Sequence, residues 1–122
     1  MRRLDVVVIE DNNDVGDTLA EWLEEVGHHV RIARTGEQGL ALVREAKPKV
    51  VICDLGLPGM DGLEVCRSIR ALALEPPPVI VAITGWDRGG DRERTRVAGF
   101  DHHLVKPISP DKLSELLQSL PA

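Results

Sequence analysis

A chain of 122 residues has room for one domain and little more, and a hydrophobic content of 43% is enough for a sizeable core. Only 2% of the residues are aromatic, so the core must be built from aliphatic side chains. That composition suits buried parallel strands covered by helices better than an aromatic-rich antiparallel sandwich. The formal net charge of −5 gives no overall reason to expect nucleic-acid binding.

The sequence contains no pattern typical of export or of membrane insertion. The apolar run at 6–9 is too short for the core of a signal peptide, and no apolar stretch approaches the roughly 20 residues needed to cross a bilayer. Cys53 and Cys66 lie in apolar segments without CxxC spacing, and we interpret them as buried small hydrophobic residues. We therefore expect a cytoplasmic protein with reduced thiols, in direct contact with neither membrane nor nucleic acid.

Short apolar runs alternate along the chain with longer amphipathic segments. Five of the short runs predict β-strands, at residues 5–10, 29–33, 50–54, 79–83 and 102–105. The first, third and fourth are rich in β-branched residues and almost unbroken by polar ones, as is typical of strands buried on both faces. The second and fifth are more polar, which indicates edge strands.

The segments between these strands carry apolar residues at helical spacing and predict five helices. The first helix ends at Gly27, the second stops at Pro48, and three consecutive prolines terminate the third. The fourth covers the mostly charged segment 87–99, and the fifth begins at Ser109 or Asp111. Five βα units with right-handed crossovers predict one parallel sheet with helices on both faces, a doubly wound α/β fold.

Sites in doubly wound sheets form where the strands end at their carboxyl side. The side chains expected there are three carboxylates, a hydroxyl and an ammonium group: Glu10, Asp11, Asp54, Thr84 and Lys106. Three acids brought together repel one another, and Mg²⁺ is the natural ion to relieve that repulsion. Asp54 ends a rigid apolar strand, so its carboxylate can attack phosphorus, with Lys106 and Thr84 available to contact phosphate oxygens.

Four short segments, in this order, resemble the motifs of the response regulator receiver family, the CheY-like proteins. They are VIEDN at 8–12, DLGLPGMDG at 54–62, ITG at 83–85 and KP at 106–107. Each segment alone is weak, but together they are specific and extend over essentially the whole chain. The resemblance implies a flavodoxin-like, CheY-like fold with strand order 2-1-3-4-5, and a single receiver domain over residues 1–122.

The resemblance also implies a role in a two-component phosphorelay. Asp54 would accept a phosphoryl group from the phosphohistidine of a sensor histidine kinase or a histidine phosphotransfer protein. Glu10, Asp11, Asp54 and the backbone carbonyl of Gly56 would bind Mg²⁺. Phosphorylation would change the binding of an output partner at the face formed by the fourth helix, the fifth strand and the fifth helix. Such a domain catalyses its own phosphorylation and dephosphorylation, and is not a metabolic enzyme.

Further residues take roles by the same resemblance. Thr84 and Lys106 would contact the phosphoryl group, and the peptide bond before Pro107 is expected to be cis. Gly59 and Gly62 fit the tight turn after the third strand, where positive φ is needed.

The chain departs from the family pattern at one position. Three residues before the lysine the family usually carries Tyr or Phe as a switch, and here that residue is His103. An imidazole can still rotate and donate a hydrogen bond to Thr84, but it is smaller and can titrate. Trp86 follows Thr84 closely, and our hypothesis is that it shields the phosphoryl group from water.

Three other functions remain as alternatives. A degenerate receiver would bind partners without being phosphorylated. A Mg²⁺-dependent phosphohydrolase or nucleic-acid phosphotransferase would need a second acid or base, which the stretch 54–56 lacks. A flavin mononucleotide binder would need a phosphate loop after the first strand, yet residues 11–14 contain two aspartates. The stretch 100–107 resembles receivers of hybrid sensor kinases, so a free regulator and a domain of such a kinase are equally compatible with the sequence.

Overall fold

The computed structural model describes residues 3–85 and 91–120, and within them strands and helices alternate. The elements in chain order are β1 Asp5–Ile9, α1 Asn13–Glu25, β2 His29–Ala33, α2 Gly36–Ala46, β3 Val50–Asp54, α3 Gly62–Ala71, β4 Val79–Thr84, α4 Asp91–Ala98, β5 His102–Val105 and α5 Pro110–Gln118.

The five strands pair in parallel in the order β2-β1-β3-β4-β5, which confirms the predicted topology. The polar strands β2 and β5 lie at the edges, as their composition predicted. Ile9 lies between Ala33 and Cys53 in the register, and Asp54 lies beside Ile83. The carboxyl ends of the central strands therefore meet at one edge of the sheet, where the strand order reverses between β1 and β3.

The alternation of side chains along the strands divides the core into two layers. Val6 and Val8 pack with the apolar residues of α1 and α5, whereas Val7 and Ile9 pack with those of α2 and α3. Cys53 and Cys66 lie in the second layer as buried free thiols, which confirms their predicted role as small hydrophobic residues. The side chains at the carboxyl ends of the strands belong to neither layer, so they are available to form a site.

The helix boundaries follow local capping groups. Four helices begin after a side-chain oxygen that accepts from the backbone N–H three residues on: Asn12, Thr35, Asp61 and Ser109. Ser109, rather than Asp111, therefore starts α5. Gly27 follows α1 with a φ of +102°, as expected for a helix end. α3 ends at Ala71, before the prolines expected to terminate it, because Ala73 takes a left-handed φ of +51°.

The fourth predicted helix is found in part. α4 covers Asp91–Ala98, whereas residues 86–90, including Trp86, lie outside the described residues. In the ranges 3–85 and 91–120, no helix combines the length and apolar character needed to cross a membrane.

Arg70 joins the end of α3 to three neighbouring segments at the amino-terminal edge of the sheet. Its guanidinium donates to the carbonyl of Pro78 at 2.7 Å and to that of Gly99 at 2.8 and 3.0 Å. It also donates to Asp101 at 2.8 Å, and the same carboxylate oxygen accepts from the backbone N–H of Ile80 at 2.9 Å. One side chain thus fixes the starts of β4 and β5 and the end of α4.

Candidate functional site

Glu10 directly follows β1 and is fully buried at the edge of the sheet. Its backbone N–H donates to the carbonyl of Ala33 at 2.9 Å, and its Oε2 accepts from the backbone N–H of Asn12 at 3.1 Å. Burial raises the pKa of Glu10 from 4.5 to about 7, although the hydrogen bond with Lys106 acts in the opposite direction. A carboxyl group that is costly to ionise therefore lies at the end of β1.

Lys106 brings a positive charge to this carboxyl group. Its Nζ lies 2.6 Å from Oε1 of Glu10 and 3.1 Å from Oδ2 of Asp54. Its backbone N–H donates to the carbonyl of Thr84 at 2.7 Å, and the following bond to Pro107 is cis. Burial alone would lower the pKa of Lys106, but its two acidic partners raise it. The ammonium group thus links the acids at the ends of β1 and β3.

Asp54 is the last residue of β3, and only 6% of its surface is exposed. Its Oδ1 accepts from the backbone N–H of Gly56 at 3.0 Å, and the next residue, Leu55, donates its N–H to the carbonyl of Ile83 at 2.9 Å. These bonds hold the carboxylate and the loop after it in a fixed geometry. The loop also places Gly56 next to the Asp54 side chain.

The two glycines of this loop serve different purposes. Gly59 has a φ of +71°, as the turn prediction required. For Gly62 the prediction of positive φ was wrong, because φ is positive at Gly27, Gly59 and Gly99 but not at Gly62. Gly62 is instead required by space: a Cβ there would lie 2.5 Å from the backbone oxygen of Asp54.

Glu10, Asp11 and Asp54 form a compact group of carboxylates. One oxygen from each lies within 4.8 Å of the other two, and Asp11 is exposed while its two neighbours are buried. Oε1 of Glu10 is buried, and the Lys106 ammonium lies 2.6 Å from it. Carboxylate oxygens open to water on one side are the donor set that Mg²⁺ prefers.

Thr84 and His103 occupy neighbouring strands near this group. Thr84 ends β4 and is buried, and Val105 lies beside it in β5. His103 is half-buried, and its Nδ1 lies 3.4 Å from Oγ1 of Thr95, a buried residue of α4. The proposed switch position is therefore in contact with α4, a connection that the sequence did not reveal.

Two residues next to the site, Asn12 and Arg34, were not among those predicted from the sequence. Asn12 caps α1 and, through its backbone N–H, holds Glu10. Its signal is present in the sequence, since Asn is a preferred residue before a helix. Arg34 follows β2, at the same sheet edge as the predicted site. Examining the residue after every strand, including β2, would have identified it.

Comparison with known proteins identifies the family of the chain. Residues 6–118 match the sequence profile of the response regulator receiver domain. A protein of Leptolyngbya boryana described as an uncharacterized 14.6 kDa protein is 31% identical over 118 residues, or 97% of this chain and 90% of that protein. The transcriptional regulatory protein AfsQ1 of Streptomyces coelicolor is 37% identical over 103 residues, or 84% of this chain and 44% of that protein.

Solved structures show the same fold. The chemotaxis protein CheY4 of Vibrio cholerae superposes with a TM-score of 0.91 over 98% of this chain and 100% of its own, at 24% identity. At that identity the likeness concerns the fold alone. The chain spans about half the length of several regulatory proteins that it matches, so the similarity extends to one region of those proteins.

Proposed function

Since the chain belongs to the response regulator receiver domain family, we propose that it accepts a phosphoryl group on Asp54 and thereby changes its affinity for a partner. The observation that carries the proposal is the position of Asp54. Its carboxylate is fixed at the end of a buried strand, 3.1 Å from the Lys106 ammonium and beside two further acids. A nucleophile, a cation for the transferred group and oxygen ligands for a metal are together there.

The donor would be the phosphohistidine of a sensor histidine kinase or a histidine phosphotransfer protein in the cytoplasm. The Asp54 carboxylate attacks phosphorus as the bond from phosphorus to the imidazole nitrogen breaks, and the imidazole gains a proton as it leaves. The new group carries a charge of roughly −1.5 to −2 where the carboxylate carried −1. Lys106 then pairs with a phosphoryl oxygen and Thr84 donates its hydroxyl to another.

Glu10, Asp11 and Asp54 would hold Mg²⁺, together with the backbone carbonyl of Gly56. When bound, the ion neutralises negative charge on the transferring phosphoryl group. Glu10 must lose its proton to serve as a ligand, and the neighbouring Lys106 favours that loss. The fit rests on the donor set, because two buried carboxylates and one exposed carboxylate leave a side open for water and phosphate oxygens.

An apolar groove next to Lys106 suits the docking of the donor. It has a volume of about 520 Å³ and is lined by residues of α1 and of the segment after β5, among them Val15, Leu19, Pro107 and Ile108. A protein that presents a phosphohistidine must bring it within bonding distance of Asp54, so its contact surface has to lie around this edge.

The output follows from the contacts of β5. Thr84 and His103 are the proposed switch residues, and His103 is next to Thr95 of α4. A change at Lys106 and Thr84 would reach the face of α4, β5 and α5 through β5, in which Val105 pairs with Thr84 and His103 contacts Thr95. Val97 and Val105 expose 72% and 37% of their surface on this face, so it can bind a partner. Such coupling typically amounts to about 1–3 kcal/mol.

Intact-protein mass spectrometry after incubation with acetyl phosphate tests the proposal. We expect a gain of one phosphoryl group that requires Mg²⁺, in the wild type and in Asp61→Asn but not in Asp54→Asn. Asp61→Asn is a matched control, because it makes the same change in the same loop and Asn also caps α3. A folded, Mg²⁺-binding wild type without any adduct would contradict phosphoryl transfer and favour a degenerate receiver that acts by binding alone.

A further inference from the structure

A second cation, Arg34, lies behind the acidic group on the side of β2. The backbone bond from Glu10 to the carbonyl of Ala33 places the ends of β1 and β2 side by side. The Arg34 guanidinium crosses α1 at Gly16: a Cβ on Gly16 would lie 2.5 Å from Nη1 of Arg34 and 3.6 Å from Cβ of Glu10. The guanidinium therefore packs against the first turn of α1, which also lies close to the acid at the end of β1.

Arg34 is held at both ends. Its Nη2 pairs with Oδ1 of Asp17 at 2.5 Å, and its backbone N–H donates to Oε1 of Gln38 at 3.0 Å. Nη1 is buried and has no hydrogen-bond partner in the segments that the structure describes. Since the Arg34–Asp17 pair is partly exposed, it contributes little to stability. Burying an N–H group without a partner costs free energy, and the weak pair with Asp17 does not offset that cost.

A continuous series of contacts links Arg34 to the proposed metal ligands. Arg34 covers Gly16, the Gly16 N–H donates to the carbonyl of Asn12 at 3.0 Å, and the Asn12 N–H donates to Oε2 of Glu10 at 3.1 Å. Asp11 lies within this segment, between Glu10 and Asn12. Any shift of the first turn of α1 therefore moves two of the three carboxylates.

We propose that Arg34 is a positioning residue for the Mg²⁺ site, which braces the first turn of α1 and so fixes Glu10 and Asp11. This inference rests on the proposed function. Arg34 acts through Gly16 and Asn12, whereas Lys106 acts by direct contact with the acids. The alternative is a purely electrostatic effect, and it has the opposite sign: loss of a nearby positive charge would tighten the binding of a cation.

Two variants distinguish the contact of Arg34 with α1 from the electrostatic effect of its charge. Arg34→Gln removes both the brace and its charge. Gly16→Ala displaces the guanidinium but keeps its charge, because the atom that the new Cβ meets is the end of a flexible side chain. Ala is also the better helix former, so a weaker site in this variant cannot be attributed to an unstable helix. Arg31→Gln is the matched control, with the same change of charge at an exposed position of β2.

Isothermal titration with MgCl₂ measures the binding of the ion. We expect about tenfold weaker binding in Arg34→Gln and in Gly16→Ala, and wild-type binding in Arg31→Gln. At saturating Mg²⁺ both variants should be phosphorylated by acetyl phosphate at the wild-type rate, because Asp54, Thr84 and Lys106 are untouched. If Arg34 only stabilised the fold, its loss would not weaken Mg²⁺ binding while leaving the rate of phosphorylation at saturating Mg²⁺ unchanged.

Unchanged or tighter Mg²⁺ binding in Arg34→Gln, or unchanged binding in Gly16→Ala, would overturn the inference while wild-type phosphorylation leaves the proposed function intact. If the wild type itself neither binds Mg²⁺ nor is phosphorylated, the proposed function fails, and the role of Arg34 fails with it.

Discussion

Replacing Glu10 with Gln should remove a pH dependence from the stability of the metal-free protein. Burial raises the pKa of this carboxyl group from 4.5 to about 7, so the folded state binds its proton more tightly than the unfolded chain does. The resulting stabilisation is fully present below a pH of about 4.5 and is lost as the pH rises through about 7. At about 1.4 kcal/mol per pKa unit it amounts to about 3 kcal/mol, of which about 2 kcal/mol disappears between pH 5.5 and 8.

The assay is urea unfolding in the presence of EDTA at several pH values between 5.5 and 8. The difference in free energy of unfolding between the wild type and Glu10→Gln reports the titration of Glu10 together with its coupling to Asp54 and Lys106, because the other titrating residues are common to both proteins. Glu21→Gln is the control, since Glu21 is exposed on α1 and its replacement should leave the pH dependence unchanged.

The wild type should lose about 2 kcal/mol relative to Glu10→Gln as the pH rises over this range. A difference that stays constant with pH, or one that changes in favour of the wild type at high pH, would refute the burial argument. It would mean that Lys106 and Asn12 stabilise the ionised carboxylate at least as much as burial destabilises it.

Three further predictions follow from individual contacts. Lys106→Met should slow phosphorylation by acetyl phosphate at saturating Mg²⁺ by roughly 10²–10³-fold, because it removes the cation beside Asp54; a rate within twofold of the wild type, followed by intact mass, would contradict this. Arg70→Met should lower the free energy of unfolding by about 2–4 kcal/mol in urea titrations, because it leaves two backbone carbonyls without their donor and removes the charged partner of Asp101. Its control, Arg67→Met, lies at an exposed position of the same helix and should change stability by less than about 0.5 kcal/mol; equal effects would refute the role of Arg70. Gly62→Ala should cost about 1–3 kcal/mol and slow phosphorylation, since its Cβ meets the backbone oxygen of Asp54; wild-type stability in the same titration would show that the loop relaxes freely.

The strands, and the central or edge position of each, could be predicted because they depend on composition, whereas the strand order came from the resemblance to the receiver family. Aliphatic runs such as 50–54 form central strands, and polar runs such as 102–105 form edges, whatever their exact neighbours. The ends of the helices depend on single residues and were harder to predict. The sequence shows the capping side chain of Ser109, but it does not show that Ala73 takes a left-handed conformation before the prolines.

The grouping of the site residues could also be predicted, because parallel strands bring their carboxyl ends together. Asp54 and Lys106 are 52 positions apart in the chain, yet their side chains are in contact. Contacts that depend on side-chain direction could not be foreseen. The requirement for Gly62, the contact of His103 with α4 and the packing of Arg34 over α1 all arise from tertiary neighbours.

Identification of the phosphorylated residue decides whether Asp54 is the acceptor. After incubation with acetyl phosphate and Mg²⁺, borohydride reduction converts an aspartyl phosphate to homoserine, which peptide mass spectrometry can locate. We predict homoserine at position 54 in the wild type and none in protein incubated without Mg²⁺. Homoserine at position 11, 2-amino-5-hydroxyvaleric acid (the reduced form of a glutamyl phosphate) at position 10, or neither product in a protein that carries the phosphoryl mass would contradict the assignment of Asp54 as the acceptor.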